Sequence, residues 1–133
     1  MNGKCALLDS NVLIALATPA HQHYVSAQGY VKGLSKWAYC PITQGALLRF
    51  YYREAVRPSV KEASRILASI AAISVAEFIP DSQSFDSVSM EGITGHNQVT
   101  DAYLVHLARG SRANACHVRQ VSQSQVSGSR LIL

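Results

Sequence analysis

Two aspartates stand where an acid could do metal chemistry. Asp9 follows the apolar run of residues 5–8 and precedes a helix-like segment, which places it at the C-terminal tip of a predicted buried strand. Asp101 lies near the start of a later predicted helix. The carboxyl ends of parallel strands form the crevice in which ligands collect. Clustered carboxylates there can hold Mg²⁺ or Mn²⁺, which activates water and offsets charge on a phosphate. The pair therefore indicates metal-assisted hydrolysis of a phosphodiester.

Each aspartate also has a purely structural interpretation. Asp9 could belong to a capped turn, and Asp101 could merely complement the dipole of its helix. Acids with structural partners are common, so the positions of these two residues leave both interpretations open.

Other polar side chains could support such a centre. Asn11, Thr43 and Thr100 could orient a metal-bound water or a carboxylate, although capping and turn formation are the commoner roles of each such residue. Arg49, on the helix predicted after Thr43, could contact phosphate or simply be solvated.

Short apolar strands alternate with helices along the chain. Strands are predicted at 4–8, 37–42 and 75–80, and helical spacing at 10–17, 21–37, 44–52, 58–72 and 98–108. The expected helix starts are marked by Ser10, Thr43, Pro58 and Asn97, with Asp101 in the opening turn of the last helix. This alternation is typical of an α/β fold in which a parallel sheet is covered on both faces. With 133 residues and no linker, the chain is predicted to be a single domain, residues 1–133.

Composition favours a cytoplasmic protein. Hydrophobic residues make up 48% of the chain, yet no stretch has the roughly 18 uncharged apolar residues of a membrane span. The N-terminus lacks the pattern of a signal peptide. Cys5 and Cys40 lie in apolar runs and are expected to be reduced core residues. We therefore expect neither export nor membrane insertion.

The net charge of +4 is concentrated near the C-terminus. Residues 1–101 hold eight basic and eight acidic residues, so the excess comes from four arginines at positions 109, 112, 119 and 130. A basic balance confined to one tail says little about the surface of the domain. A nucleotide-binding α/β domain is disfavoured because the chain has neither a GxGxxG sequence nor a P-loop.

Three segments together resemble a known family. They read Cys-Ala-Leu-Leu-Asp-Ser-Asn-Val-Leu-Ile-Ala-Leu at 5–16, Cys-Pro-Ile-Thr-Gln-Gly-Ala-Leu-Leu-Arg at 40–49, and Gly-His-Asn-Gln-Val-Thr-Asp-Ala-Tyr-Leu at 95–104. In this order and spacing they are similar to three successive motifs of PIN-domain ribonucleases, above all the VapC-type toxins of bacterial toxin–antitoxin pairs in mycobacteria. The resemblance covers about residues 4–110.

The resemblance implies a three-layer α/β/α sandwich with a central parallel sheet and Mg²⁺- or Mn²⁺-dependent cleavage of RNA. It implies a homodimer, and a heterotetramer or larger assembly with a cognate antitoxin protein that blocks the active site. Carried over by position, Asp9 is the first metal-binding acid, with Asn11 as its polar companion. Asp101 is the third acid, with Thr100 beside it.

Two departures from the family pattern concern the remaining acids. The second acid commonly falls near position 44, where this chain has Gln44, an amide that can ligate a metal but brings no charge. Family members also usually close with a strand reading roughly Leu-Ala-Thr-Phe-Asp, and residues 111–133 show no such motif. The alternative function is therefore a catalytically impaired PIN-like protein that acts only as a binding module.

A change of reading frame could explain the second departure. Codons can be chosen for residues 115–120, completed by the first base of the next codon, that read one nucleotide later as Leu-Ala-Thr-Phe-Asp-Lys. The Ser-, Gln- and Arg-rich texture of residues 111–133 starts in the same region. We therefore hypothesise that this atypical tail arises from a frameshift.

Overall fold

The sheet is built on a short, wholly buried strand, β1. The computed structural model describes residues 5–110 and 118–121. Within them the strands are β1 (Cys5–Leu8), β2 (Lys36–Tyr39), β3 (Ala76–Phe78) and β4 (Val118–Val121), and the helices are α1 (Ser10–Ala17), α2 (Tyr24–Lys32), α3 (Pro41–Glu54), α4 (Val60–Ala71) and α5 (Asn97–Gly110). A short 3₁₀ turn, Phe85–Ser87, precedes α5. The predicted order of strands and helices is thus confirmed over residues 5–110.

All strand pairs in the described sheet are parallel. The strand order is β3-β2-β1-β4, and β1 pairs with β2 through Leu7 opposite Ala38. The fourth strand lies within the segment predicted to be an atypical tail, where Leu7 is opposite Gln120. Sequence patterning did not predict β4, because its four residues carry apolar side chains only at the two ends. The predicted α/β fold with a central parallel sheet is therefore confirmed, with one strand added.

Helices cover both faces of the sheet. Leu7 and Leu8 are both fully buried, and they belong to different core clusters because successive strand side chains point to opposite faces. Leu7 packs with Leu104 and Leu107 of α5, whereas Leu8 packs with apolar residues of α1, α3 and α4. Burying each leucine contributes about 1.5–3 kcal/mol. The three-layer α/β/α sandwich is thus confirmed.

The positions of two prolines relative to the helix starts differ from the prediction. The strand predicted over residues 37–42 ends at Tyr39, and Pro41 is instead the first residue of α3. Proline suits this place because it needs no hydrogen-bond partner and its φ is already helical. Pro58 lies outside the helix it was expected to open, since Ser59 is the N-cap of α4.

The cysteines differ in state. Cys40 is a buried free thiol, as predicted, whereas Cys5 is disulfide-bonded, so the expectation of a reduced Cys5 is wrong. Among the described residues, none of the helices has the length and apolar character needed to cross a bilayer.

Candidate active site

Asp9 is the N-cap of α1, at the tip of a strand that has neighbours on both sides. The carboxylate Oδ1 accepts a hydrogen bond from the Val12 backbone N–H at 3.0 Å, and the side chain is buried. The predicted cap Ser10 is instead the first residue of the helix. A carboxylate is a favourable cap because it meets the positive end of the helix dipole. The capping interpretation of Asp9 is therefore correct, and it fixes the carboxylate at the edge of the sheet.

The start of α3 is fixed by Cys40 and Thr43. The Thr43 hydroxyl accepts a hydrogen bond from the Cys40 backbone N–H at 3.1 Å and donates one to the Cys40 carbonyl oxygen at 3.0 Å. Thr43 is fully buried and is the third residue of the helix rather than the predicted cap, a role that Cys40 takes. Its side chain therefore holds the first turn of α3, which carries Gln44, in place.

The register of the sheet brings the starts of α1 and α3 to the same edge. Because Leu7 is opposite Ala38 in a parallel pair, Asp9 and Cys40 follow at the same level, each at the end of its strand. The two helices then pack against each other. Gln44, half-buried in the first turn of α3, thus lies on the same side of the sheet as the capping carboxylate.

Arg49 is folded back along α3. A Cβ atom placed on Gly45 would lie only 3.4 Å from Arg49 Nη1, so the guanidinium lies against the helix one turn closer to its N-terminus. That direction leads toward Gln44 and the edge of the sheet. Sequence reasoning singled out Arg49 but did not predict that its guanidinium lies beside Gly45.

The helix that carries Asp101 begins at the same end of the sheet, on the other face. Helix α5 leads from the β3 side of the sheet to β4, and since β4 is parallel to β1, α5 must run antiparallel to the strands. Ala102 and Ile42, the second residue of α3, pack against one core cluster. The beginnings of α3 and α5 therefore lie at the same end of the sheet.

The position of Asp101 within its helix differs from the prediction. It is the fifth residue of α5, and the first turn of that helix contains no acid. The Asp101 side chain is exposed. The helix dipole acts mainly within the first turn. The structural interpretation of Asp101, that it only complements the dipole, is therefore weakened. Thr100 and Asn11 are also exposed, one beside Asp101 and the other in the first turn of α1.

The donor set suits a hard divalent cation but is small. Two carboxylates, Asp9 and Asp101, and the amide oxygen of Gln44 are oxygen donors, which Mg²⁺ and Mn²⁺ prefer. Within residues 5–110 and 118–121, no three His, Cys, Asp or Glu side chains gather as a metal-binding group. Mg²⁺ commonly retains waters and uses one or two protein carboxylates together with substrate phosphate. The residues therefore fit such an ion, with less charge than a three-acid site would supply.

Comparison with known proteins identifies related chains. No protein-family model matches the chain. It is 43% identical to ribonuclease VapC29 of Mycobacterium tuberculosis over 104 residues, which span 77% of both chains. It is 35% identical to ribonuclease VapC38 over 109 residues, covering 78% of this chain and 77% of the relative, and 34% identical to ribonuclease VapC39 over 111 residues, covering 77% and 80%. Both of these relatives are also from Mycobacterium tuberculosis.

A solved structure shares the fold at much lower sequence identity. The crystal structure of Mycobacterium tuberculosis VapC20, described as a sarcin–ricin loop cleaving toxin, superposes with a TM-score of 0.59 over 93% of this chain and 94% of that one, at 11% identity. The likeness supports the fold alone. The identities to the three ribonucleases cover more than two thirds of each chain. The chain therefore belongs to the VapC family of PIN-domain ribonucleases.

Proposed function

We propose that the chain is a Mg²⁺- or Mn²⁺-dependent endoribonuclease toxin that hydrolyses RNA phosphodiester bonds in the cytoplasm. The observation that carries the proposal is the placement of Asp9, a buried carboxylate locked at the tip of β1 by its bond to the Val12 N–H, at the edge where α3 and α5 also begin. The family supports ribonuclease activity, since its members are named ribonucleases.

The proposed roles follow from where each side chain lies. Asp9 and Asp101 would hold the metal ion, with the Gln44 oxygen as a neutral third donor. A bound Mg²⁺ or Mn²⁺ supplies a more acidic water and neutralises charge on the phosphate. Asn11 and Thr100, exposed beside the two acids, would orient water or a carboxylate.

Two further residues would bind the substrate and support the site. Arg49, whose guanidinium lies over Gly45 and points toward the start of α3, would bind a phosphate of the RNA. Thr43 acts on this arrangement through the backbone, because its hydroxyl is engaged with Cys40.

The test of the proposal is cleavage of RNA by the purified full chain. We expect cleavage in Mg²⁺ or Mn²⁺ that stops on chelation, and we expect Asp101→Asn to abolish it while circular dichroism and the melting temperature stay unchanged. Asp81→Asn, an exposed acid between β3 and the 3₁₀ turn, is the matched control and should cleave normally. Full cleavage by Asp101→Asn would reject the metal-binding role of that residue.

A second candidate function is a binding module that keeps the fold without catalysis. It is favoured by Gln44 at the expected position of an acid and by the lack of a three-acid group within the described residues. If the chain cuts no RNA in either metal while a version with the reading frame restored after Gly110 does, this chain is the impaired form.

We also propose a cognate antitoxin protein as partner and a homodimer that binds it as a heterotetramer or larger assembly. The support is membership of the VapC family. Light scattering of the chain alone and with a small protein encoded beside it measures both assemblies. A chain that stays monomeric at every concentration, or whose activity the neighbouring protein leaves intact, would contradict these partners.

A further inference from the structure

Charge is strongly segregated along the folded part of the chain. Between residues 49 and 65 a basic residue recurs at every fourth position: Arg49, Arg53, Arg57, Lys61 and Arg65. Residues 66–108 contain five acids and neither lysine nor arginine. The equal totals of acids and bases over residues 1–101 therefore hide a basic and an acidic part. The expectation that basic character belongs only to the tail is too coarse.

Four of these basic residues, which follow one another along α3, the connection after it and the start of α4, are here together named the basic track: Arg49, Arg53, Arg57 and Lys61. All are exposed. Arg49 and Arg53 are four residues apart on α3 and so are neighbours on one helix face. Arg57 lies in the connection to α4, and Lys61 is the second residue of that helix.

Local contacts hold the basic track in shape. The Arg53 guanidinium lies 5.4 Å from the centroid of the Phe50 ring, a cation–π contact that orients it along α3. The Ser59 backbone N–H donates to the Tyr51 hydroxyl at 3.0 Å, which ties the connection between the helices back onto α3. Defined contacts therefore hold Arg53 and the connection that carries Arg57.

Most of the positive charge on the basic track lacks a counterion. Glu54 pairs with Arg53, both exposed, and Glu62 pairs with Arg65. The hydrogen bond from Arg65 lowers the pKa of the Glu62 carboxyl, so this acid is committed to Arg65. Within the part of the chain that the structure describes, no ion pair involves Arg49, Arg57 or Lys61. These cations are available to an external anion.

The first cation of the basic track lies on the helix that begins at the candidate active site. The Arg49 guanidinium is turned back along α3 to the level of Gly45, whereas the α5 side of the crevice brings Asp101 and no basic residue up to position 108. A phosphate that enters between the acids is repelled by carboxylates, and the cations of this region are on the α3 side. Tyr52, beside Arg53 and partly exposed, offers a ring on which a base can stack.

We infer that the basic track binds the phosphate backbone of single-stranded RNA on its way to the crevice, independently of base sequence. The inference rests on the proposed ribonuclease function and extends it to a substrate-binding surface beyond Arg49. The other occupant to consider is an acidic protein segment, because Val56 and Val60 at the tip between α3 and α4 are 96% and 76% exposed. The three cations without an ion pair in the described part of the chain, and the position of Arg49 on the helix that begins at the crevice, favour RNA.

The test measures the affinity of the full chain for a fluorescent single-stranded RNA across a series of salt concentrations, with EDTA present to prevent cleavage. Each phosphate contact on a single strand contributes about 0.7 to the slope of log affinity against log salt. The double variant Arg57→Gln/Lys61→Gln should therefore lower that slope by about 1.4. Its control, Lys32→Gln/Arg109→Gln, removes two exposed cations elsewhere and should keep the parent slope.

The outcomes separate this inference from the proposed function. If both double variants have the same slope and the parent still cleaves RNA, the basic track does not bind RNA. The proposed ribonuclease function is then unaffected. A parent that neither binds nor cleaves RNA would overturn both. If the Arg57→Gln/Lys61→Gln chain loses affinity for polyglutamate but not for RNA, the surface binds an acidic protein and the inference is wrong.

Discussion

Asp9 combines two tasks in one carboxylate, since it caps α1 through Oδ1 and is the proposed first metal ligand. The tasks separate by substitution. Asparagine caps a helix about as well as aspartate but carries no charge, so Asp9→Asn should keep the melting temperature of the parent and lose the activity. Losing several kcal/mol of metal-derived stabilisation lowers the rate by about 100-fold or more. Initial cleavage rates and thermal melts measure the two effects.

The alanine variant completes this comparison. Asp9→Ala removes both the cap and the charge, so it should lose activity and also about 1 kcal/mol of the free energy of unfolding. An Asp9→Asn chain that cleaves RNA at the parent rate would show that the carboxylate is structural only.

Gln44 offers the opposite experiment, a gain of function. A glutamate at this half-buried position in the first turn of α3 would add a charged oxygen near Asp9. Metal affinity rises with the number of charged ligands, so Gln44→Glu should lower the Mn²⁺ concentration for half-maximal cleavage about tenfold. Gln22→Glu, an exposed position before α2, is the control. Identical Mn²⁺ titrations for parent and Gln44→Glu would place Gln44 outside the metal site.

At the scale of elements, the start of α3 connects stability to activity. Thr43→Val keeps the shape of the buried side chain but removes both hydrogen bonds to Cys40, which should cost about 1–2 kcal/mol in the free energy of unfolding. Because Gln44 follows in the same turn, we also expect cleavage to fall. Denaturant unfolding and initial cleavage rates measure the two losses.

Helix α4 supplies a matched variant for this prediction. The Ser59 hydroxyl accepts a hydrogen bond from the Glu62 backbone N–H at 3.1 Å, so Ser59→Ala loses a helix cap worth about 1 kcal/mol away from the crevice. It should be destabilised but cleave at the parent rate when RNA is saturating, since any effect on the basic track changes RNA affinity and not the crevice. Equal activity losses in Thr43→Val and Ser59→Ala would mean that lower stability alone, and not the placement of Gln44, reduces cleavage.

Sequence reasoning predicted the elements better than their ends. The apolar run before Asp9 and the helical periodicity around Ile66 identified β1 and α4, because burial on a sheet or helix leaves a regular pattern. The start of α3 was missed because cysteine is an unusual N-cap, so the cap was assigned to Thr43 instead. The position of Arg49 over Gly45 depends on a side-chain conformation, which composition and spacing do not determine.

At the scale of the whole molecule, charge distribution illustrates the same limit. A sum over residues 1–101 gives no net charge, yet the fold displays the cations of residues 49–65 on α3, α4 and their connection. The acids of residues 66–108 lie instead on β3, α5 and the segment between them. Only the order of strands shows that α3, which carries the first of these cations, and α5, which carries Asp101, both begin at the edge of the sheet where Asp9 lies.

The last strand bears on the completeness of the active site. Restoring the frame would place an aspartate between the positions of Arg119 and Gln120, in β4, where Gln120 is opposite Leu7 of β1. Matches to the relatives cover 77–78% of this chain and 77–80% of theirs.

We therefore expect the coding DNA to read Leu-Ala-Thr-Phe-Asp-Lys one nucleotide later across residues 115–120. A chain made in that frame should cleave RNA faster than the present one and at lower Mn²⁺, because a further carboxylate raises the negative charge that holds the ion. The control is the same restored chain with its new aspartate replaced by asparagine, which should return to the slower rate. Sequencing comes first, since a gene without those codons would rule out the frameshift whatever the activities show.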